Sequence, residues 1–253
     1  MIESRVVKPT QRRSEVRTPV IVFIFIILAY AAMRYFVYSV IPQTEEFGNW
    51  IVKDTIMDVP RLICGSLALG FGLWKLGKRG LGFLSGGLTI AAILFIFDIG
   101  IMGIDGLMRT PYSLSFREIT ILSISSFVVA FNEELLFRGL GISALKAWRG
   151  DNFALWSSTF LFTVFHYSAQ PLSEWPAIFF FGLLMGQLRL AGVSLYWLIL
   201  YHGASDSMWF WLDGLGGPPY RWVVYGLLSA VIPLTLLITG GLPRMKGLGT
   251  SLH

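Results

Sequence analysis

The sequence predicts an all-α fold, a polytopic membrane helical bundle of about eight transmembrane helices. Three observations predict it. Hydrophobic residues make up 55% of the 253 residues and charged residues 14%, against about 25% charged in a typical soluble domain. Mean hydropathy is +0.66. The apolar residues gather into stretches of roughly 20, the length a helix needs to cross the hydrocarbon core. A soluble core of this size would need a polar coat that so few charges cannot form. The same figures exclude a disordered chain, a collagen-like chain and a secreted disulfide scaffold. Cys64 is the single cysteine, which excludes an internal disulfide and a cysteine-rich metal cluster. In a soluble protein a net charge of +5 would suggest nucleic acid. Here the positive charge sits at the N-terminus and in short loops, so no nucleic-acid partner is expected and the charge reads as membrane topology.

Residues 1–18 are polar and carry Arg5, Lys8, Arg12, Arg13 and Arg17, a basic cytoplasmic segment. The first span runs from Pro19 to Ile41. Ala29-Tyr30-Ala31 imitates a signal-peptide cleavage site, but the apolar run continues to Ile41, too long for a signal core, so a retained helix is expected. Further spans are expected at about 56–76, 85–107, 119–146, 153–169, 176–191, 194–212 and 221–241. They form one membrane domain over 19–243, followed by a short tail over 244–253, with no repeat and no low-complexity tract. Gly182 and Gly186 make a small-residue pair in the sixth span that reads as helix packing.

With the N-terminus inside, the inside segments hold Arg5, Lys8, Arg12, Arg13, Arg17, Lys75, Lys78, Arg79, Lys146, Arg149, Arg189, Arg244 and Lys246. The outside segments hold only Lys53, Arg61, Arg109, Arg117 and Arg221. This asymmetry and the even number of spans predict an integral protein of the cell (inner or plasma) membrane with both termini cytoplasmic.

An ionisable side chain near the bilayer centre costs about 2.5–3.5 kcal/mol on the insertion scale, so those that bear the cost are informative. They are Arg34, Asp98, Glu133, Glu134, Arg138, His166, His202 and Asp206. Glu134 and Arg138 are four apart with Glu first, the favourable order for an ion pair. Glu133 is turned about 100° away and has no such partner. An unpaired carboxylate in an apolar site is a stronger base than one in water, and so a usable general base. The run therefore separates a structural pair from a chemical residue. Phe162 and His166 share one helix face. His202 and Asp206 do the same, and a carboxylate one turn away can orient an imidazole. The small residues between them permit close approach of a substrate or a neighbouring helix. Glu133 is at the middle of its span, His202 about 12 Å and His166 about 20 Å into theirs, so all three fit near one depth. Asp98 reads as a helix-pairing or substrate-path residue, and Arg34 as its partner or as an interfacial residue.

Glu-Glu-x-x-x-Arg at 133–138, Phe-x-x-x-His at 162–166 and His-x-x-x-Asp at 202–206 resemble, in order, the three motifs of the CPBP intramembrane proteases, also called the CAAX-protease and bacteriocin-processing or ABI family. The motifs cover under a third of the chain. The resemblance implies peptide-bond hydrolysis within the membrane, at a site between helices 4, 5 and 7. It implies that Glu133 and His166 activate water, that Glu134, Arg138 and Phe162 support them, and that His202 and Asp206 stabilise the oxyanion. Position 206 departs from the branch that has Asn there. An ionised Asp cannot donate to an oxyanion, so Asp206 is expected to orient His202, which donates alone.

No Gly-x-Ser-x-Gly elbow is present, and Ser205 is the residual covalent candidate. Two His and one Glu can ligate zinc, which would make His166, His202 and Glu133 the ligands. The chain has no His-Glu-x-x-His, and a metal-free, cofactor-free reaction is expected. Gly72 to Arg79 imitates a phosphate-binding loop but has Arg79 where Ser or Thr belongs; Lys75, Lys78 and Arg79 read as headgroup anchors. The expected partner is a membrane-embedded or lipid-modified protein. Two other readings stand beside this one: a proton-coupled transporter, for which the halves show no repeat, and a non-catalytic immunity or scaffold member of the same family.

Overall fold

A computed structural model describes residues 9–40, 47–83, 86–106, 114–167, 170–211 and 220–239. The described residues form helices joined by turns, with no strand among them. In order they form α1 (Pro9–Val40), α2 (Phe47–Leu81), α3 (Leu88–Gly106), α4 (Phe116–Glu133), a π-helical turn (Glu134–Gly141), α5 (Ile142–Phe165), a short 3-10 turn (Leu172–Glu174), α6 (Trp175–Ala191), α7 (Leu195–Trp211) and α8 (Tyr220–Ile238). The all-α expectation holds. Three stretches are long and apolar enough to cross a membrane: Arg17–Val40, Ile51–Leu81 and Phe116–Phe165; Leu88–Gly103 and Gly226–Ile238 are shorter apolar helices. The last of the long stretches joins the expected fourth and fifth spans, so the structure does not itself establish a count of eight crossings. Residues 1–8 and 240–253, with the basic residues Arg5, Lys8, Arg244 and Lys246, lie outside the described residues.

Local chemistry explains the helix ends. Ser115 caps α4 in a capping box: its side chain accepts from Glu118 N at 3.3 Å, and Glu118 Oε2 accepts from Ser115 N at 2.7 Å. Gly77 (φ 67, ψ 174) breaks α2, and Gly150 (φ 84, ψ 178) breaks α5. Both are conformations only glycine tolerates. The two breaks fall where hydropathy predicts the end of one span and the gap between two others. Gly192, left-handed at φ 99, ends α6. Beyond it Ser194 N and Leu195 N donate to Gly86 O and Gly82 O, both at 2.9 Å, tying the α6–α7 connection to the segment before α3.

Apolar burial drives helix association weakly within lipid, so close packing and polar ties carry it. α4 packs along α7 and α5 along α6. A Cβ on Gly203 would lie 2.5 Å from Phe127, so the gap between His202 and Asp206 serves the approach of α4. A Cβ on Gly182 would lie 2.9 Å from the Phe162 ring, and one on Gly186 2.7 Å from Leu155, so this pair does pack α6 on α5. An aromatic core of Phe23, Phe137, Phe162 and Phe165 fills the centre, with Tyr30 stacked on Phe165 at 4.7 Å.

Several charges expected in loops lie inside this bundle. Arg61 is in α2, held by Asp54 at 2.6 Å and Asp58 at 2.8 Å, with Ser125 of α4 bonded to both acids. Lys53 is buried in α2. Arg189 of α6 donates to Arg138 O at 3.1 Å and to Gly80 O at 3.2 Å. The inside-outside tally counts all three as loop charges, because composition does not distinguish a charge satisfied within a bundle from one in water. Arg34 does not pair with Asp98 but donates to Phe165 O at 2.8 Å. Asp98 accepts instead from Tyr201, at 2.9 Å, and from Ser205, joining α3 to α7. Its expected helix-pairing role holds.

Candidate active site

The three motifs meet at one point. Glu133 closes α4, where the helix widens into the π turn; His166 follows the last residue of α5; His202 and Asp206 lie on α7. Glu133 Oε1 stands 3.7 Å from His166 Nε2 and Glu133 Oε2 3.9 Å from His202 Nε2. The carboxylate lies between two imidazoles.

Each ring is held from behind. His166 Nδ1 is 2.8 Å from Phe162 O. A carbonyl only accepts, so Nδ1 carries a proton and Nε2 is the ring nitrogen that faces Glu133. Arg34, bonded to the carbonyl of the preceding residue, fixes the chain on the other side. His202 Nδ1 is 2.8 Å from Glu134 Oε1, the same oxygen that meets Arg138 Nη1 at 3.2 Å. The Glu134–Arg138 pair expected from the spacing is present and buried, and it also orients His202. Asp206, expected to hold that ring, faces the opposite nitrogen, Nε2, at 3.4 Å. Adjacent glutamates about 100° apart on a helix thus reach the two edges of one imidazole.

The π turn is where this geometry is set. The wide turn shifts the backbone pairing, with Phe137 O accepting from Ile142 N, and side chains add to it here: Ser158 Oγ donates to Phe137 O at 3.2 Å and Arg189 Nε to Arg138 O. Arg138 lies 4.1 Å over the Phe162 ring and donates to Gly182 O at 3.3 Å. Phe162 supports the cluster twice, through its carbonyl and through its ring, which lies 4.8 Å from the His166 ring.

The seven residues given catalytic or supporting roles by the resemblance, Glu133, Glu134, Arg138, Phe162, His166, His202 and Asp206, therefore form one connected cluster. Sequence reasoning missed Phe181, whose ring meets His202 edge-on at 4.8 Å, and the role of Arg34. A phenylalanine among twenty has no local signal; Arg34 had one, as a charge within an apolar run. Ser205 spends its hydroxyl on Asp98. Among the described residues no group of three or more His, Cys, Asp or Glu side chains is arranged to hold a metal ion, so no step is routed through one.

Residues 115–208 match the family model described as Rce1-like: type II CAAX prenyl endopeptidase Rce1-like. The matched segment is a little over a third of the chain and contains the whole cluster. No curated protein matches the chain.

Proposed function

We propose, from the membership of the CPBP/CAAX protease family that residues 115–208 support, that this chain is an intramembrane endopeptidase that hydrolyses a peptide bond of a prenylated or otherwise membrane-held protein. The observation that carries the reading is the Glu133 carboxylate between His166 Nε2 and His202 Nε2, with both rings anchored at their far nitrogens.

The chemistry follows from those roles. A water in hydrogen-bond reach of Glu133 and His166 gives one proton to Glu133 as its oxygen bonds to the scissile carbonyl carbon. A positioned base of this kind contributes about 10²–10⁴ in rate. His202, protonated and backed by Glu134, turns Nε2–H from Asp206 to the developing oxyanion; one such donor is worth about 10²–10³. The C–N bond then breaks, and the proton on Glu133 passes to the leaving amine. Asp206 receives Nε2–H again when the oxyanion is gone. The reaction uses no metal in this scheme. The domain is the one expected over 19–243, with eight spans and both termini in the cytoplasm.

The test compares wild type with Glu133→Gln in the native host, by quantitative proteomics of membrane-protein termini. Gln keeps the shape and cannot accept the proton. Termini present in wild type and lost in the folded variant are the expected result, and they name the substrates. Identical termini from both would make Glu133 structural and end the proteolytic reading.

A further inference from the structure

Asp98 of α3 stands outside the cluster, yet its carboxylate bears on it through α7. Asp98 Oδ2 accepts from Tyr201 Oη at 2.9 Å and from Ser205 Oγ. All three residues are buried. Tyr201 and Ser205 are four apart and share one face of α7. Each immediately precedes a residue of the site, His202 and Asp206, which share the face about 100° further round. One oxygen on α3 therefore grips α7 at two points a turn apart, on the stripe beside the one that carries the imidazole.

A second tie lies at the start of both helices, where Ser194 N and Leu195 N donate to Gly86 O and Gly82 O. Asp98 is ten residues beyond Leu88 and Ser205 ten beyond Leu195, about 15 Å along each helix. The two helices thus run side by side in register, joined at two levels. Ties at two levels fix the tilt of α7, and the two-point grip fixes its rotation. On the site side the pulls on the imidazole oppose one another. Glu134 meets Nδ1, while Glu133 and Asp206 both face Nε2. Phe181 adds an apolar edge contact, which has no preferred angle about the helix axis. A side-chain tip lies about 5–6 Å from a helix axis, so turning α7 by about 10° moves the ring about 1 Å. A misplacement of that size can cost about 10²-fold in rate.

We propose that Asp98 is a positioning residue for His202: a hydrogen-bond clamp between α3 and α7 that sets the rotation of α7 and so the placement of Nε2 against Glu133. The clamp needs an acceptor oxygen and no charge. Its value to catalysis rests on the proteolytic reading above.

The first readout needs no hydrolysis. Full-length protein labelled with nitrogen-15 histidine is placed in phosphatidylcholine vesicles and followed by magic-angle-spinning NMR. The chain has three histidines, and the loss of signals in His202→Gln identifies those of His202. Asp98→Asn keeps a carbonyl oxygen that can accept from both hydroxyls, and it is expected to leave the His202 signals in place. The triple variant Asp98→Leu, Tyr201→Phe, Ser205→Ala replaces acceptor and donors together, so none of the three is left unpaired. It is expected to melt close to wild type, yet to shift the His202 signals and to reduce the host termini at least about tenfold. A folded triple variant with unchanged His202 signals overturns the proposal, because the clamp then only holds two helices together. Asp98→Asn shifting the signals as far as the triple variant overturns it too, since charge would then be what matters. If the triple variant fails to fold, Tyr201→Phe and Ser205→Ala each release one point of the grip. Unchanged signals in both would be equally fatal. Failure of the proteolytic reading shows separately, in the termini of the Glu133→Gln host, and leaves the spectra as they are.

Discussion

At the scale of residues, Glu133 and Glu134 are neighbours of the same type with opposite duties. Glu134 is fully buried, pairs with Arg138 and holds His202. Glu133 faces two ring nitrogens across gaps of 3.7 Å and 3.9 Å, wider than hydrogen bonds. Their amide variants therefore separate. Glu134→Gln leaves the Arg138 charge buried without its partner, and losing one half of such a pair costs about 3–5 kcal/mol. Glu133→Gln removes a charge with no ion-pair partner in its own helix, and is expected to melt close to wild type while the proposed proteolysis is lost. Unfolding in detergent, followed by tryptophan fluorescence, checks the contrast; equal melting of the two variants would contradict it. The sequence made much of this legible. The four-residue spacing of Glu134 and Arg138 pointed to their ion pair, and the absence of a local partner pointed to Glu133 as the chemical residue. It did not show which carboxylate meets which nitrogen of His202, because that depends on rotation about α4 and α7, which no spacing along one helix contains.

At the scale of elements, glycines set how closely helices approach. Gly182 and Gly203 stand where a Cβ would meet Phe162 at 2.9 Å and Phe127 at 2.5 Å, whereas Gly70 has nothing within 4 Å. Gly182→Ala and Gly203→Ala are expected to lose about 1–3 kcal/mol through overpacking, and activity with it, since both contacts border ring-bearing segments of the site. Gly70→Ala is expected to be neutral or to gain about 0.4–1 kcal/mol through the unfolded chain. Melting temperatures of the three variants decide. Hydropathy placed α3, α6, α7 and α8 to within a few residues, because apolar length is a composition property, but α1 and α2 begin well before the spans expected at 19 and about 56. It missed the π turn at Glu134–Gly141, whose stabilisation comes from Ser158 and Arg189, far away in sequence. It also read Lys53, Arg61 and Arg189 as loop charges; Arg189 is satisfied by carbonyls of other segments, Lys53 lies near an aromatic ring of α1, and Arg61 is held by two acids of its own helix and by their shared Ser125.

At the scale of the whole molecule, the proposed topology puts Gly77 and Gly150 on the cytoplasmic side and Ser115 on the opposite one. Cys64 is buried and is the chain's single cysteine, so a Cys64→Ser background supports single-cysteine labelling in intact cells. Lys78→Cys and Lys146→Cys are expected to resist a membrane-impermeant maleimide until the cells are opened, and Ser115→Cys to react at once. The reverse pattern would invert the protein in the membrane and the side from which substrate reaches it.

Hydrolysis consumes one water per bond cut, and a bilayer supplies water slowly. Glu133, His202 and Glu134 have side chains 7%, 4% and 0% exposed and His166 15%, whereas that of Asp206 is 39% exposed. If the proposed hydrolysis takes its water from outside the bundle, Asp206 is the member of the cluster most open to it. The proposed activity then makes the molecule an osmometer: a large excluded osmolyte that withdraws water from that flank is expected to slow cleavage, and a small one that enters it is not.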